Sequence, residues 1–141
     1  MWFYEGKPFS SEDLDDSHIG FVYEITDTLN GKKYIGKKKL ISKRRLAPLK
    51  GQKRKRTVIK ESDWNTYYGS SEEVKLLVQE FGVERFTRII LRFCKTTAEM
   101  SYYEAKEQFT REVLLKPDEY YNAFIGCKIH RNHVKHLKSE K

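Results

Sequence analysis

Residues 20–44, which read GFVYEITDTLNGKKYIGKKKLISKR, carry the strongest structural signal in this chain. Two short runs rich in β-branched and aromatic residues, 20–26 and 32–36, flank the dipeptide Asn30-Gly31. Asn-Gly is the favoured pair for a type I′ turn because both central residues of that turn need a positive φ. The stretch therefore predicts a β-hairpin with a two-residue turn.

One tyrosine lies in each predicted strand of this hairpin. Because side chains alternate along a strand, Tyr23, Ile25 and Asp27 are expected to share a face with Tyr34. A wider turn that shifts the register by an even number preserves this arrangement, whereas a one-residue slip destroys it. Gly36 removes a side chain from the same face, which would let a ligand approach the backbone. Two phenols beside several cations indicate a site for an anionic ligand.

The chain after the hairpin is strongly basic. Residues 31–60 hold fourteen Lys or Arg and no Asp or Glu, which is half of the basic total. We expect a short helix over residues 40–46, then a basic loop over about 46–62 that contains the breakers Pro48 and Gly51. A block this basic is typical of proteins that bind nucleic acid. The alternative is a solvated loop without a partner.

Composition limits the class of protein. The 141 residues are 38% hydrophobic and 13% aromatic with a net charge of +8, which predicts one folded domain. No apolar run approaches the roughly 18–20 residues that span a bilayer, and no signal peptide opens the chain, so we expect no membrane partner. Cys94 and Cys127 are interpreted as reduced thiols, and the expected location is cytoplasmic.

Three regions follow from this composition. Residues 1–19, aromatic at the front and acidic behind, are interpreted as an N-terminal arm. Residues 20–126 form the predicted domain, and residues 127–141 form a basic C-terminal tail. The tail contains three histidines, which we interpret as solvated or phosphate-facing rather than as a metal site: His130, His133 and His136.

Two helices and a strand are predicted after the basic loop. Ser70 and Glu73 fit a capping box, and Gly82 suits the end of that helix. Its apolar residues recur at helical spacing: Val74, Leu77, Val78 and Phe81. Residues 85–94 predict a buried strand.

Thr96 and Glu99 fit a second capping box, opening a helix to about Leu115 before Pro117. Its predicted apolar stripe consists of Tyr102, Ala105, Phe109 and Val113. The chain is therefore expected to be α+β, with a small central antiparallel sheet of about three strands flanked by helices.

This order of elements resembles the GIY-YIG nuclease superfamily. The first motif stands here as FVY at 21–23 and the second as YIG at 34–36. Members carry an arginine ten residues after the second tyrosine, which matches Arg44, and an asparagine near the end of the domain, which matches Asn122. The resemblance covers residues 20–126.

The resemblance also implies a glutamate on a later helix. Glu104 in SYYEAKEQF is the matching residue, and Glu107, one turn further on, is a competing candidate. Lys37 directly follows YIG, as in some members. Pro48 stands where many members have a histidine, so no role is assigned to a histidine there.

The function implied by the resemblance is metal-dependent endonuclease cleavage of DNA phosphodiesters, with double-stranded DNA as the expected partner. Glu104 would hold one Mg²⁺ or Mn²⁺, and a tyrosine of the pair Tyr23 and Tyr34 would act as general base. A phenol near pKa 10 needs nearby cations for that task, and Lys37, Lys38 and Arg44 are candidates. Arg44 is alternatively a phosphate ligand.

The resemblance further suggests a phage homing or DNA-degrading enzyme, acting in the host cytoplasm if phage-encoded. Residues expected to contact nucleic acid are mostly basic: Lys38, Arg45, Lys53, Arg54, Lys55 and Arg56. Trp64 and Tyr68 either stack on bases or pack in the core. Two other functions remain open: a catalytically inactive nucleic-acid-binding module, and a protein-interaction domain that uses the acidic arm.

Overall fold

The computed structural model describes residues 1–139 except for the side chains of residues 43–45. Within that range the chain forms seven strands: β1 (Trp2–Tyr4), β2 (Lys7–Phe9), β3 (Gly20–Asp27), β4 (Lys33–Lys39), β5 (Ile41–Leu46), β6 (Arg56–Glu61) and β7 (Phe86–Cys94). The α-helices in the same range are α1 (Glu72–Phe81), α2 (Thr97–Thr110) and α3 (Arg131–Val134). None of the helices among residues 1–139 combines the length and the apolar character needed to cross a bilayer.

The α+β class is confirmed, but the expectation of about three antiparallel strands is wrong. The main sheet has five strands in the order β2-β1-β7-β3-β4 and is mixed, because β1 runs parallel to β7. The two additional strands come from the predicted N-terminal arm and comprise Trp2–Tyr4 and Lys7–Phe9. Trp2 is fully buried and its indole N–H donates to the Trp64 carbonyl at 2.8 Å. Burial of this ring favours pairing of β1 with the sheet.

The hairpin of β3 and β4 has a wider turn than predicted. Ile25 pairs with Tyr34, and a five-residue connection, 28–32, joins the strands. Among these loop residues only Gly31 has a positive φ, of 76°, so the two-residue type I′ turn is wrong. Compared with the pairing that a two-residue turn would give, the register shifts by two residues. This is an even number, so the shared face of the two tyrosines is confirmed.

The segment predicted as a short helix, residues 40–46, instead contains β5. It pairs antiparallel with β6, from Ile41 opposite Glu61 to Leu46 opposite Arg56. The β-branched run at residues 57–59 supplies a partner strand, and this non-local pairing overrides the weak local preference of a charge-rich segment. The predicted loop over 46–62 is thus a loop only between the strands, at residues 47–55.

The helices begin close to their predicted caps. Ser71 rather than Ser70 caps α1 and accepts from the Val74 N–H at 3.3 Å, and Gly82 ends the helix. Thr96 caps α2 as predicted and accepts from the Glu99 N–H at 3.1 Å.

Helix α2 ends at Thr110, earlier than expected, because Glu112 takes a left-handed conformation with φ of 55°. Its predicted stripe is also wrong, since Tyr102 and Phe109 are exposed. The residues buried on α2 are Met100, Tyr103, Ala105 and Gln108.

The sheet has a hydrophobic cluster on each face. Phe21, Tyr23 and Ile25 of β3 belong to the cluster that also holds Trp2 and Trp64. The opposite cluster contains Val22 of β3, Ile35 of β4, and residues of α2, including Met100 and Tyr103. Alternation along β3 and β4 therefore directs adjacent residues to different layers, and β4 forms one edge of the sheet.

Candidate active site at the edge of strand β4

A cavity of about 580 Å³ lies beside β4. Tyr34 faces one layer of the fold and Lys37 the other, because an odd number of positions separates them on the strand. Both nevertheless reach the cavity, since it opens at the edge where the two layers meet. The remaining lining residues come from α1 and the segment before it, from α2 and from the segment after residue 120: Ser70, Ser71, Glu72, Glu73, Glu104, Gln108, Tyr121, Ala123, Phe124 and Gly126.

Glu104 brings a largely buried carboxylate into this cavity. Its side chain is 15% exposed, and Oε1 lies 3.9 Å from Nζ of Lys37. Lys37 Nζ also donates to Ser101 Oγ at 2.7 Å. Burial raises the pKa of Glu104, and the Lys37 charge only partly offsets that rise. Among the described side chains, Lys37 alone therefore gives this carboxylate only partial charge compensation.

The competing residue, Glu107, has a different environment. Its side chain is 38% exposed and accepts from Nε of Arg111 at 2.8 Å. Arg111 also binds Glu24 at 2.8 Å. Glu107 is thus committed to an ion pair outside the cavity lining, whereas Glu104 is part of that lining.

The residues present fit a hard divalent cation that keeps most of its water. No group of three or more His, Cys, Asp or Glu residues with metal-binding geometry occurs among the described residues. Mg²⁺ is usually held by one or two carboxylates together with waters and substrate phosphate, so a single carboxylate suits it. Glu104 is the cavity residue that combines a buried carboxylate with incomplete charge compensation. In the tail, His130 and His133 bind backbone N–H groups at the start of α3 instead.

The two tyrosines of the hairpin occupy unlike positions. The Tyr34 hydroxyl lies 2.8 Å from Ser70 Oγ at the cavity wall, and its ring is 6.2 Å from that of Tyr23. Tyr23 is fully buried, and its hydroxyl makes no well-formed hydrogen bond among the described residues. Burial raises the pKa of both phenols; for Tyr34, the Ser70 hydrogen bond opposes the rise. Among the residues whose side chains are described, no cation lowers the pKa of either phenol towards neutrality.

Gly36 serves the packing of Tyr23 rather than the approach of a ligand. A Cβ added at Gly36 would lie 2.6 Å from Cζ of Tyr23. The space opposite this glycine is therefore filled by the Tyr23 ring, which the sequence alone did not reveal.

Asn122 binds the free edge of β4. Its Oδ1 accepts from the Ile35 N–H at 3.0 Å, and its Nδ2 donates to the Ile35 carbonyl at 2.8 Å. Nε2 of Gln108 donates to the same carbonyl at 2.9 Å. Gln108 was missed in the sequence analysis, although its position four residues after Glu104 places both on one side of α2.

The predicted nucleic-acid contacts divide into buried and exposed groups. Trp64 is fully buried and donates to Glu61 at 2.8 Å, so its ring packs in the core and is not available to a base. Tyr68 is half-buried beneath the Arg88 guanidinium, 4.1 Å from its ring centre. Lys38 binds Asp63 at 2.5 Å and lies over the Tyr67 ring.

The other basic residues lie in or beside the β5–β6 pair. Those whose side chains are described are all exposed: Lys53, Arg54, Lys55 and Arg56. The side chains of Arg44 and Arg45 lie outside the described residues, so their predicted contacts stay predictions.

Comparison with known proteins identifies the class of this fold and site. A family model described as "Putative endonuclease segE, GIY-YIG domain" matches residues 2–125, which include the whole main sheet, both long helices and most of the cavity. The chain therefore belongs to the GIY-YIG nuclease family.

A curated relative agrees with this assignment. The chain is 33% identical over 107 residues to a protein of Enterobacteria phage T4 called "Putative endonuclease segE". The aligned region covers 75% of this chain and 41% of the phage protein, so the chain spans about two fifths of the length of that relative. No solved structure matches the chain.

Proposed function

We propose that this protein is a metal-dependent DNA endonuclease and that it hydrolyses phosphodiester bonds in the cavity beside β4. The observation that carries the proposal is the shared position of Glu104, Lys37 and Tyr34 around one cavity. A carboxylate, an ammonium and a phenol supply a metal ligand, a cation and a proton acceptor, which are the groups that phosphodiester hydrolysis needs.

Glu104 is proposed as the ligand of one Mg²⁺ or Mn²⁺. Its carboxylate is largely buried, and its cation partner among the described side chains is Lys37 at 3.9 Å, so a bound dication would relieve the cost of its negative charge. When bound, such an ion supplies charge stabilisation to the phosphate and lowers the pKa of a coordinated water. Lys37 would orient the carboxylate and add a positive charge near the scissile phosphate.

Tyr34 is proposed as the general base. Its hydroxyl is at the cavity wall, whereas that of Tyr23 is buried. A Ser70 hydroxyl that donates to the Tyr34 oxygen favours the phenolate, because a hydrogen bond to the charged form lowers the pKa. Tyr23 would position the Tyr34 ring, and Arg44 would bind the scissile phosphate as the family pattern implies.

Asn122 is proposed as a positioning residue. Both ends of its amide are bound to Ile35, between Tyr34 and Gly36, so it holds the backbone of the second motif. The amide is also buried, so its remaining N–H and oxygen lone pair are shielded from a substrate.

The biological setting is proposed from the relative. A phage protein named as an endonuclease supports a phage enzyme that cleaves double-stranded DNA in the host cytoplasm, either in homing or in DNA degradation. The net charge of +8 agrees with a polyanionic partner.

Plasmid nicking tests the proposal directly. Supercoiled plasmid is incubated with wild-type protein and with the variants Glu104→Gln and Glu107→Gln, in Mg²⁺, in Mn²⁺ and in chelator. We expect metal-dependent cleavage by the wild type and by Glu107→Gln, and at least about a 100-fold loss in Glu104→Gln with DNA retention unchanged. Retention of DNA without cleavage in any metal would instead identify an inactive DNA-binding module.

A further inference from the structure

The strands β5 and β6 form a two-stranded ribbon outside the main sheet. All six residues of β6 are exposed, and the connecting loop, residues 47–55, is exposed throughout. Strands of about six residues extend roughly 20 Å at the usual rise per residue. A two-stranded antiparallel pair is marginally stable by itself. Because successive residues of β6 point to opposite sides of the ribbon, β6 presents exposed side chains on both sides to a partner.

The base of the ribbon is fixed to the strand that carries the candidate active site. The Ser62 N–H donates to the Leu40 carbonyl at 2.8 Å, and the Ser62 hydroxyl donates to the Lys39 carbonyl. The ion pair of Lys38 with Asp63 joins the same two segments. β5 begins two residues after β4 ends. A ligand bound along the ribbon is thus connected to β4 by a short, hydrogen-bonded junction.

The charge of the ribbon fits a polyanion. Residues 41–61 contain nine Lys or Arg and a single acid, Glu61. Glu61 is at the base, where it accepts from Ser11 at 2.9 Å and from the Trp64 indole at 2.8 Å. The only negative charge of the segment is therefore engaged with the body of the protein, and the far end carries cations alone.

Two exposed aliphatic residues distinguish this surface from a purely phosphate-binding one. Val58 is 38% exposed and Ile59 is 61% exposed, in the middle of β6. As neighbours on one strand they face opposite sides of the ribbon. Their β-branched shape favours the strand, and their exposed apolar surface also matches the methyl groups of thymine, which offer apolar contacts in the major groove.

We propose that the ribbon inserts into the major groove of double-stranded DNA next to the bond that is cleaved. The groove is about 12 Å wide and admits a two-stranded β-ribbon. Basic residues of the loop, Lys53, Arg54 and Lys55, bind phosphates, while Val58 or Ile59 contacts base edges. This inference rests on the proposed function, and it adds to that function the element that holds the duplex.

Equilibrium binding to a fluorescent duplex tests the phosphate contacts. The ribbon variant replaces Lys53, Arg54 and Lys55 with Gln. A matched control replaces three exposed lysines outside the ribbon with Gln: Lys7, Lys75 and Lys116. Both variants lose three positive charges, so a general electrostatic effect predicts that both lose the same affinity for the duplex. We expect the ribbon variant to bind at least tenfold more weakly and its salt slope to fall by about 2–3, against little change in the control.

Groove competitors test the mode of binding. We expect methyl green, which occupies the major groove, to displace the wild-type protein at least tenfold more effectively than distamycin, which occupies the minor groove. Displacement by distamycin alone, or equal binding by the ribbon and control variants, would overturn the proposal. Equal melting temperatures of the two variants establish that both are folded.

The base contacts have a separate test. Val58→Ser combined with Ile59→Ser should weaken binding to thymine-containing DNA severalfold and make it equal to binding of the same duplex with uracil in place of thymine. If the wild type and the variant discriminate equally between the thymine and uracil duplexes, the proposed apolar contact with the thymine methyl groups is wrong. If the wild-type protein binds the major groove but never cleaves DNA, the proposed nuclease function is refuted and the proposed binding mode of the ribbon is not.

Discussion

The Asn122 amide occupies both hydrogen-bonding groups of Ile35, accepting from its N–H at 3.0 Å and donating to its carbonyl at 2.8 Å. Strand β4 is an edge of the sheet, so these groups have no neighbouring strand. Close by, the Tyr121 N–H donates to the Lys33 carbonyl at 2.7 Å. The segment after α2 therefore covers the edge that carries Tyr34, and this explains why a residue so late in the chain matters to the hairpin.

The first prediction concerns Asn122→Asp. An aspartate has no donor for the Ile35 carbonyl and would place a negative charge against it in a buried position, so the free energy of unfolding should fall by about 2–3 kcal/mol. Chemical denaturation monitored by tryptophan fluorescence measures the change. The exposed Asn132→Asp is the control and should alter stability by less than about 0.5 kcal/mol. An unchanged stability for Asn122→Asp would exclude the amide from a positioning role.

The second prediction concerns the close approach between Gly36 and Tyr23. An alanine Cβ at Gly36 would lie 2.6 Å from Tyr23 Cζ, so Gly36→Ala must displace a buried ring at a cost of about 1–3 kcal/mol. Gly126→Ala is the matched control because its nearest neighbour would be 3.7 Å away, an ordinary contact. Thermal melting of both variants decides the matter. Equal melting temperatures would show that the ring yields without cost.

The local part of the fold was predictable from the sequence. The cap at Thr96, the break at Gly82 and the shared face of Tyr23 and Tyr34 depend on neighbouring residues or on a period-two pattern. Tyr34, Lys37 and Glu104, which were chosen from the family pattern, line one cavity.

Long-range pairing was not predictable in the same way. Strand β1 depends on a partner more than eighty residues away, and β5 depends on β6 across a nine-residue loop. The stripe on α2 failed because Gln108, a polar residue, is buried to reach Ile35 while Phe109 is exposed. In each case a tertiary contact determined the outcome against the local pattern.

The third prediction separates the two phenols. Tyr34→Phe should reduce the single-turnover cleavage rate at least about 100-fold, because it removes the only phenol hydroxyl proposed to meet the attacking water. Tyr23→Phe should retain cleavage within about threefold and leave stability unchanged or raised by about 1 kcal/mol, since its buried hydroxyl forms no well-formed bond. The reverse pattern would assign the base to Tyr23 and require that ring to become accessible during the reaction.

The last prediction follows from the raised pKa of Glu104. Burial, only partly offset by Lys37, raises this pKa in the folded state above its value in the unfolded chain. Between those two pKa values the folded state binds the proton more tightly, so stability is lost as the pH rises through that interval. In chelator at pH about 7, Glu104→Gln should therefore melt at a higher temperature than the wild type, with the difference shrinking below about pH 4. Glu107→Gln should melt at the same or a lower temperature, because it loses the pair with Arg111.

The same variants test binding of a metal ion to this carboxylate. Added Mn²⁺ should raise the melting temperature of the wild type and of Glu107→Gln but not of Glu104→Gln, since only a protein that binds the ion is stabilised by it. A lower melting temperature for Glu104→Gln in chelator would mean that its pair with Lys37 outweighs burial, and the case for a dication at this carboxylate would fail.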